Sequence, residues 1–441
     1  MKKAIILMIL LFGLCGCNSV IYEKTESEEE TSSYNLDFDE SDLDSSYSVN
    51  GSTYVSLSDE NVRITKAGTY ILEGEMNDAG IIIEVSKDET VQLVLNNVTI
   101  NSNDFAAIYI VEADEVIITL AENSINTLTD KTSYTQIDDN NVDAIIYSKA
   151  DLTINGTGTL NIDTVNHGIV SKDDLIIASG TYNIETGGQG LRGKDCLKIK
   201  DGIFHISSVK DALKSDNEED EYRGYIYITG GSFTIDTQAD AIYGYRMVDI
   251  EGGDFTITTS KSSSADSFKG IKSDLMILIS EGTIEMETSD DGIHSDGDIY
   301  ITAGYISIAS KDDGIHADGM VQIDDGDIRI SAYEGIEATY VQINGGTIYI
   351  SASDDGINAA QKSSSYTATA EINGGYLTIV MSQGDTDGID SNGYIYINGG
   401  TVDISGQSPF DYDKGAEYNG GTIIVNGNET DEISNQFVNG M

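Results

Sequence analysis

The chain has 441 residues, with 75 Asp and Glu against 24 Lys and Arg, a formal net charge of −51. Nucleic acid is thereby excluded as a partner, since its binding needs clustered cations, and unaided binding to anionic glycans or lipids is disfavoured. Glycine occurs 46 times, proline once and tryptophan not at all, which argues against a largely helical fold and leaves only the 25 tyrosines for any aromatic sugar platform.

The first residues read as an address. Met1-Lys2-Lys3 is a short basic region, Ala4 to Phe12 an apolar run, and Leu14-Cys15-Gly16-Cys17 resembles a bacterial lipobox. Residues 1–17 are expected to be a lipoprotein signal peptide, with Cys17 the lipidated N-terminus that anchors the chain to a membrane at the extracytoplasmic cell surface. The run is too short to span a bilayer comfortably. With Cys15 cleaved away and Cys17 acylated, Cys196 has no partner and no disulfide forms within the chain. Residues 18–49 are mostly Ser, Glu and Asp, including Glu26-Ser27-Glu28-Glu29-Glu30. That composition buries too little apolar surface to fold, so a disordered acidic tether is expected.

From residue 50 onward the chain reads as strands. Gly80 to Val85, Val91 to Leu95 and Val116 to Leu120 are apolar runs of strand length, expected to be the first coils of a repeating structure. Eleven glycines then recur, at 180, 202, 231, 253, 282, 304, 326, 346, 375, 400 and 421, in steps of about 22 residues or 29 where something is inserted. Ten follow an isoleucine by three residues, from Ile177 to Ile397; Tyr418 takes that place in the last. Apolar pairs such as Phe204/Ile206, Phe233/Ile235 and Ile306/Ile308 come two and four residues after them, the alternation of a strand with one buried face. A repeat this short cannot bury that face alone, so coils must stack. The fold expected for residues 50–441 is all-β, a right-handed parallel β-helix with coils of about 22 residues. Each coil runs strand, turn, strand, glycine corner, strand. Phe204, Phe233 and Phe255 then form an internal stack, and insertions near 217–222, 260–267 and 361–369 emerge as loops at a corner.

The chemistry concentrates in a second ladder, the residue preceding a small-apolar pair. It runs Asp143, His167, Gln189, Asp211, Asp240, Lys269, Asp291, Asp313, Glu334, Asp355, Asp387, with doublings at Asp290, Asp312 and Asp354 and further acids at Asp296 and Asp318. In register, successive carboxylates stand about 4.8 Å apart and repel by about 1 kcal/mol per pair even in water. Calcium, which takes about 6 to 8 oxygens, fits between coils better than zinc or magnesium. Asp290, Asp291, Asp296, Asp312, Asp313, Asp318, Asp354 and Asp355 are its candidate ligands. The plainer alternative is that the aspartates cap turns and fan into solvent.

The units Asp290-Asp-Gly-Ile-His-Ser-Asp-Gly-Asp-Ile-Tyr-Ile-Thr-Ala-Gly304 and Asp312-Asp-Gly-Ile-His-Ala-Asp-Gly319, with Ala67-Gly-Thr-Tyr-Ile-Leu-Glu-Gly74 upstream, resemble a bacterial carbohydrate-binding domain family of calcium-containing parallel β-helices. The resemblance covers nearly everything after the tether; the ladder departs from aspartate at His167, Gln189 and Lys269. It implies binding of cellulose or acidic pectic sugars at the cell surface, and a shape similar to family 9 pectate lyases. An acidic polysaccharide would need bridging cations, whereas a neutral glucan would stack on exposed tyrosines, with Tyr305, Tyr349, Tyr376, His294 and His316 as candidate contacts. Two alternatives stay open. A calcium-dependent lyase would need a base, for which Lys269 and Lys272 are candidates, although surrounding carboxylates raise a lysine's pKa and make it a poor base. A structural or adhesive surface protein would bind no glycan.

Overall fold

The computed structural model describes residues 33–261, 265, 267–383 and 386–435. The expected signal peptide, Cys17 and the first part of the expected tether lie outside them. From Asn35 onward the described residues form one compact unit, nearly all β and built on one long, parallel-dominated sheet. Within it each strand pairs with one further along, usually the third. Ile271–Ser273 pairs with Ile293–Ser295, Met276–Ile279 with Asp298–Ile301, and Thr283–Glu287 with Tyr305–Ala309. Three ladders result, and the early runs around Gly80, Val91 and Val116 join the same ladders.

The inward positions are those the repeat indicates. The isoleucines from Ile177 to Ile397 pair residue to residue along the second ladder and are almost fully buried, each such burial stabilising by roughly 1.5–3 kcal/mol. In the third ladder Tyr182, Phe204, Phe233 and Phe255 stack with ring centroids 4.9, 4.6 and 4.5 Å apart and planes within 6° of parallel. All eleven corner glycines have positive φ, between 74° and 146°. At Gly202 a Cβ would also lie 2.8 Å from the Phe204 ring, so the corner and the aromatic two residues later require one another. The last ladder strand, Thr422–Val425, is closed by an antiparallel partner, Asn428–Thr430. Asn426 and Gly427, both at positive φ, make the two-residue turn such a hairpin favours, which covers an otherwise open edge.

One expectation is corrected. Residues 35–44 of the expected tether do not lie free but run along the outer side of the second ladder. The Tyr225 hydroxyl donates to the Asn35 carbonyl (2.6 Å) and Lys198 Nζ to that of Asp37 (2.6 Å). Phe38 stacks on Tyr227 at 5.9 Å, with Lys198 and Lys200 over its ring. After a helical turn, Glu40–Leu43, buried Asp42 accepts from Thr153 Oγ1 (2.8 Å), and Asn155 donates to the Asp42 and Asp44 carbonyls. The outward column beneath, including Ile117, Thr153, Ile176, Lys198 and Tyr227, is consequently buried although it faces away from the core.

Asp249 follows Tyr227 in that column. Burial, reinforced by Glu251, pushes its pKa up from 3.8 to about 7. A carboxyl with a raised folded-state pKa contributes stability at low pH that is lost as pH rises from about 4 to about 7. Asp249→Asn is therefore expected to be more stable than the parent at pH 8, by up to about 4 kcal/mol, and to show no advantage at pH 4. Urea titrations at the two pH values check this; an equal gain at both would place the cause outside ionisation.

Candidate functional site

The aspartate ladder lies on the outer side of the first ladder, one residue before each inward Gly or Ala. Its carboxylates do more than stack. Asp291 Oδ1 accepts the backbone N–H of Asp313 (3.1 Å), Asp355 Oδ1 that of Asp387 (3.0 Å), and Asp240 Oδ1 that of Lys269 (2.8 Å). His167 Nδ1 accepts from Gln189 N (2.8 Å), so a histidine can replace aspartate there because it too presents an acceptor. The ladder thus satisfies the main chain of the next coil, a role distinct from both metal binding and turn capping.

Between residues 269 and 362 the ladder becomes a charged network. Lys269 Nζ stands 2.7 Å from Asp291 and 3.2 Å from Asp290. His294, in register with Lys272 and His316, reaches Asp291 through Nδ1 (2.7 Å) and Asp296 through Nε2 (2.9 Å). In the next coil His316 Nδ1 meets Asp313 (2.6 Å) and Glu337 (3.1 Å), its Nε2 is 3.6 Å from Asp318, and Lys362 closes on Glu337 (2.7 Å). Burial would raise the Asp291 pKa, but its bond to His294 and the Lys269 ammonium hold it well below the usual carboxylate range. Asp313 goes the other way, raised by burial and by its acidic neighbours Asp291 and Glu337. Burial opposes charge on Lys269 too, yet Asp291 and Asp290 raise its pKa. Among the described residues no cation pairs with Glu334, Asp355 or Asp390. Burial and Glu337 push Glu334 up to about 8, and burial raises Asp355 to about 6 and Asp390 to about 7.

Of the candidate metal ligands, Asp290, Asp291 and Asp312 come together, their nearest oxygens all within 4.8 Å of one another. Asp291 also enters a grouping with His294 and His316, and Asp313 one with His316 and Glu337. Asp296 and Asp318 reach out only as far as the histidines, and Asp354 and Asp355 stand two coils on. Beside the Asp290 group lies an open depression of about 350 Å³ lined by Lys261, Phe268, Asp290, Lys311, Asp312 and Tyr333. Sequence reasoning missed Lys261, Lys311 and Tyr333, which lie at coil turns and in an insertion outside the repeat. The proposed base Lys272 packs over the Tyr243 ring at 4.9 Å, opposite Lys214 at 4.8 Å. Tyr305, Tyr349 and Tyr376 all stand outward on the third ladder but form no contiguous platform. Asp327 and Thr347 separate Tyr305 from Tyr376 in one column, and Tyr349 belongs to the next. Cys196 is buried and unpaired.

A family model described as carbohydrate-binding domain-containing protein matches residues 58–314 and 296–388. A protein of that description from Acetivibrio thermocellus is 39% identical over 233 residues, 52% of this chain and 79% of the relative. A solved structure described as a polysaccharide lyase-like protein from C. thermocellum, a gadolinium derivative, is 32% identical and covers 52% of this chain and 97% of that one, with a TM-score of 0.48. By the extent of the family match, this chain belongs to the carbohydrate-binding domain-containing proteins.

Proposed function

We propose that the chain is a non-catalytic polysaccharide-binding module of the cell surface. In this reading it is a right-handed parallel β-helix carried on a lipid anchor at Cys17, and it takes acidic pectic sugars or cellulose along its faces. The observation that carries the binding reading is the depression at Asp290 and Asp312, a sugar-sized hollow lined also by Lys261, Lys311 and Tyr333. Asp290, Asp291 and Asp312 offer oxygen donors alone, the set calcium prefers. The Asp312 pKa is raised by burial and by repulsion from Asp291 and Asp290, a strain that a bound cation would relieve. The ion would link these carboxylates to those of an acidic polymer. The lyase reading is weaker because Lys269 is held protonated in two ion pairs and Lys272 is engaged with an aromatic ring.

The test is retention of the full chain on polygalacturonate and on cellulose, with calcium and then with chelator, while absorbance is followed for unsaturated products. Expected are calcium-dependent retention on polygalacturonate without product, and its loss in Asp290→Asn/Asp312→Asn. Product would move the assignment to lyase. Retention on neither polymer would leave a structural or adhesive role.

A further inference from the structure

Past Asp249, the outward column of the second ladder continues through Leu278, Tyr300, Gln322, Gln342, Glu371 and Tyr396. We propose that this stretch is a second binding face, for an uncharged polysaccharide lying along the stacking axis. The proposal rests on the polysaccharide-binding reading above and narrows the polymer class for one face.

The argument starts from the preceding coils, where the same column already holds an extended polymer, residues 35–44 of the chain itself. That segment is kept there by a ring stacked on a column tyrosine and by acceptor oxygens that take hydrogen bonds from column and flanking side chains. The column residues from Leu278 to Tyr396 are half-exposed, in contrast to the buried ones beneath the segment. They offer the same two kinds of contact. Tyr300 and Tyr366 both donate to Asp298 (3.3 and 3.1 Å), which fixes their rings, and Tyr340 lies 6.1 Å from Tyr366, a residue brought in by the insertion near 361–369. Tyr396 is paired with Tyr394, with ring centroids 5.9 Å apart. Half-buried tyrosines give apolar ring faces to a sugar's C–H surface and hydroxyls to its oxygens.

Charge decides the class of polymer. The carboxylates beside these rings, Asp298, Asp324 and Glu371, have hydroxyl and amide partners, and Lys414 lies at the far end, over Tyr394. A polymer of carboxylated sugars laid here would meet like charge, whereas neutral hydroxyls would find acceptors. Tyr300 and Tyr396 are four coil steps apart, roughly 19 Å, long enough for a short run of sugar units.

The experiment is retention of the full chain on cellulose and on polygalacturonate for Tyr396→Ala, Tyr300→Ala/Tyr396→Ala and, as an exposed tyrosine elsewhere, Tyr54→Ala, with circular dichroism as a folding check. Expected for the pair is an affinity for cellulose about fivefold weaker or more, with retention on polygalacturonate and the behaviour of Tyr54→Ala unchanged. Tyr396→Ala, at the less buried ring, shows a smaller loss and stands alone should the pair misfold. Cellulose retention untouched in the variants would overturn this face while leaving the general reading intact. Parent protein held on polygalacturonate but not on cellulose would do the same; retention on neither would overturn both.

Discussion

Phe233→Ala is expected to lower the unfolding free energy by about 3–5 kcal/mol. The ring is buried, with Phe204 on one side at 4.6 Å and Phe255 on the other at 4.5 Å. Its removal therefore strips both neighbours of contact and opens a cavity between coils that hydrogen-bonded ladders prevent from closing. Because each coil touches only its neighbours, the gap also weakens coupling between the two halves of the stack. Denaturant titration followed by tyrosine fluorescence should show a lower midpoint and a broadened or split transition. Phe233→Leu, which retains most of the volume, should cost less than half as much. A loss under about 1 kcal/mol in the alanine variant would mean that the stack contributes little beyond filling space.

The second large effect is expected at Lys269. Its side chain is 13% exposed and that of Asp291 5%, so Lys269→Met leaves a buried carboxylate with His294 as its one remaining side-chain partner, at a cost of up to about 3–5 kcal/mol. Lys269→Met/Asp291→Asn should recover much of it, because no buried charge is then left unpaired. If the neighbouring carboxylates bind calcium, millimolar calcium should raise the melting temperature of Lys269→Met more than that of the parent, the ion taking the place of the ammonium. An unchanged response to calcium would sink the calcium assignment; a double variant as unstable as the single one would sink the ion-pair account.

Much of the architecture was legible because its cause is periodic. From Ile177 to Gly400 the Gly–Ile spacing reports the corner and the buried strand of each coil, and Phe204, Phe233 and Phe255 superimpose for the same reason. The capping of the Gln189, Lys269, Asp313 and Asp387 N–H groups by a side-chain acceptor of the preceding coil was not legible. A period shows which residues are neighbours, not which atoms bond, and the exchange of Asp for His at 167 makes sense only once the shared acceptor is seen. The docking of residues 35–44 was hidden by composition. Ser, Glu and Asp dominate there, and a few contacts by Phe38 and Asp42 decide the outcome. A signal did exist in Ile117 and Ile176, apolar residues on the outward side of strands, which implied that something covers them. Tyr333, Tyr366, Lys261 and Lys311 escaped because turns and insertions do not follow the repeat.

The segment along the second ladder also sets where a pull from its N-terminal side would act. Asn35 is held beside Tyr225 and not at the first coil. A pull on the residues preceding Asn35 would therefore be felt in the middle of the stack. It would have to break the Tyr225, Lys198 and Thr153 contacts one after another before any tension reached Thr53–Ser56, the first strand of the sheet. Stacked coils fray from their ends. By taking up force as a sequence of small ruptures along its flank, this protein would shield its N-terminal end from being peeled open.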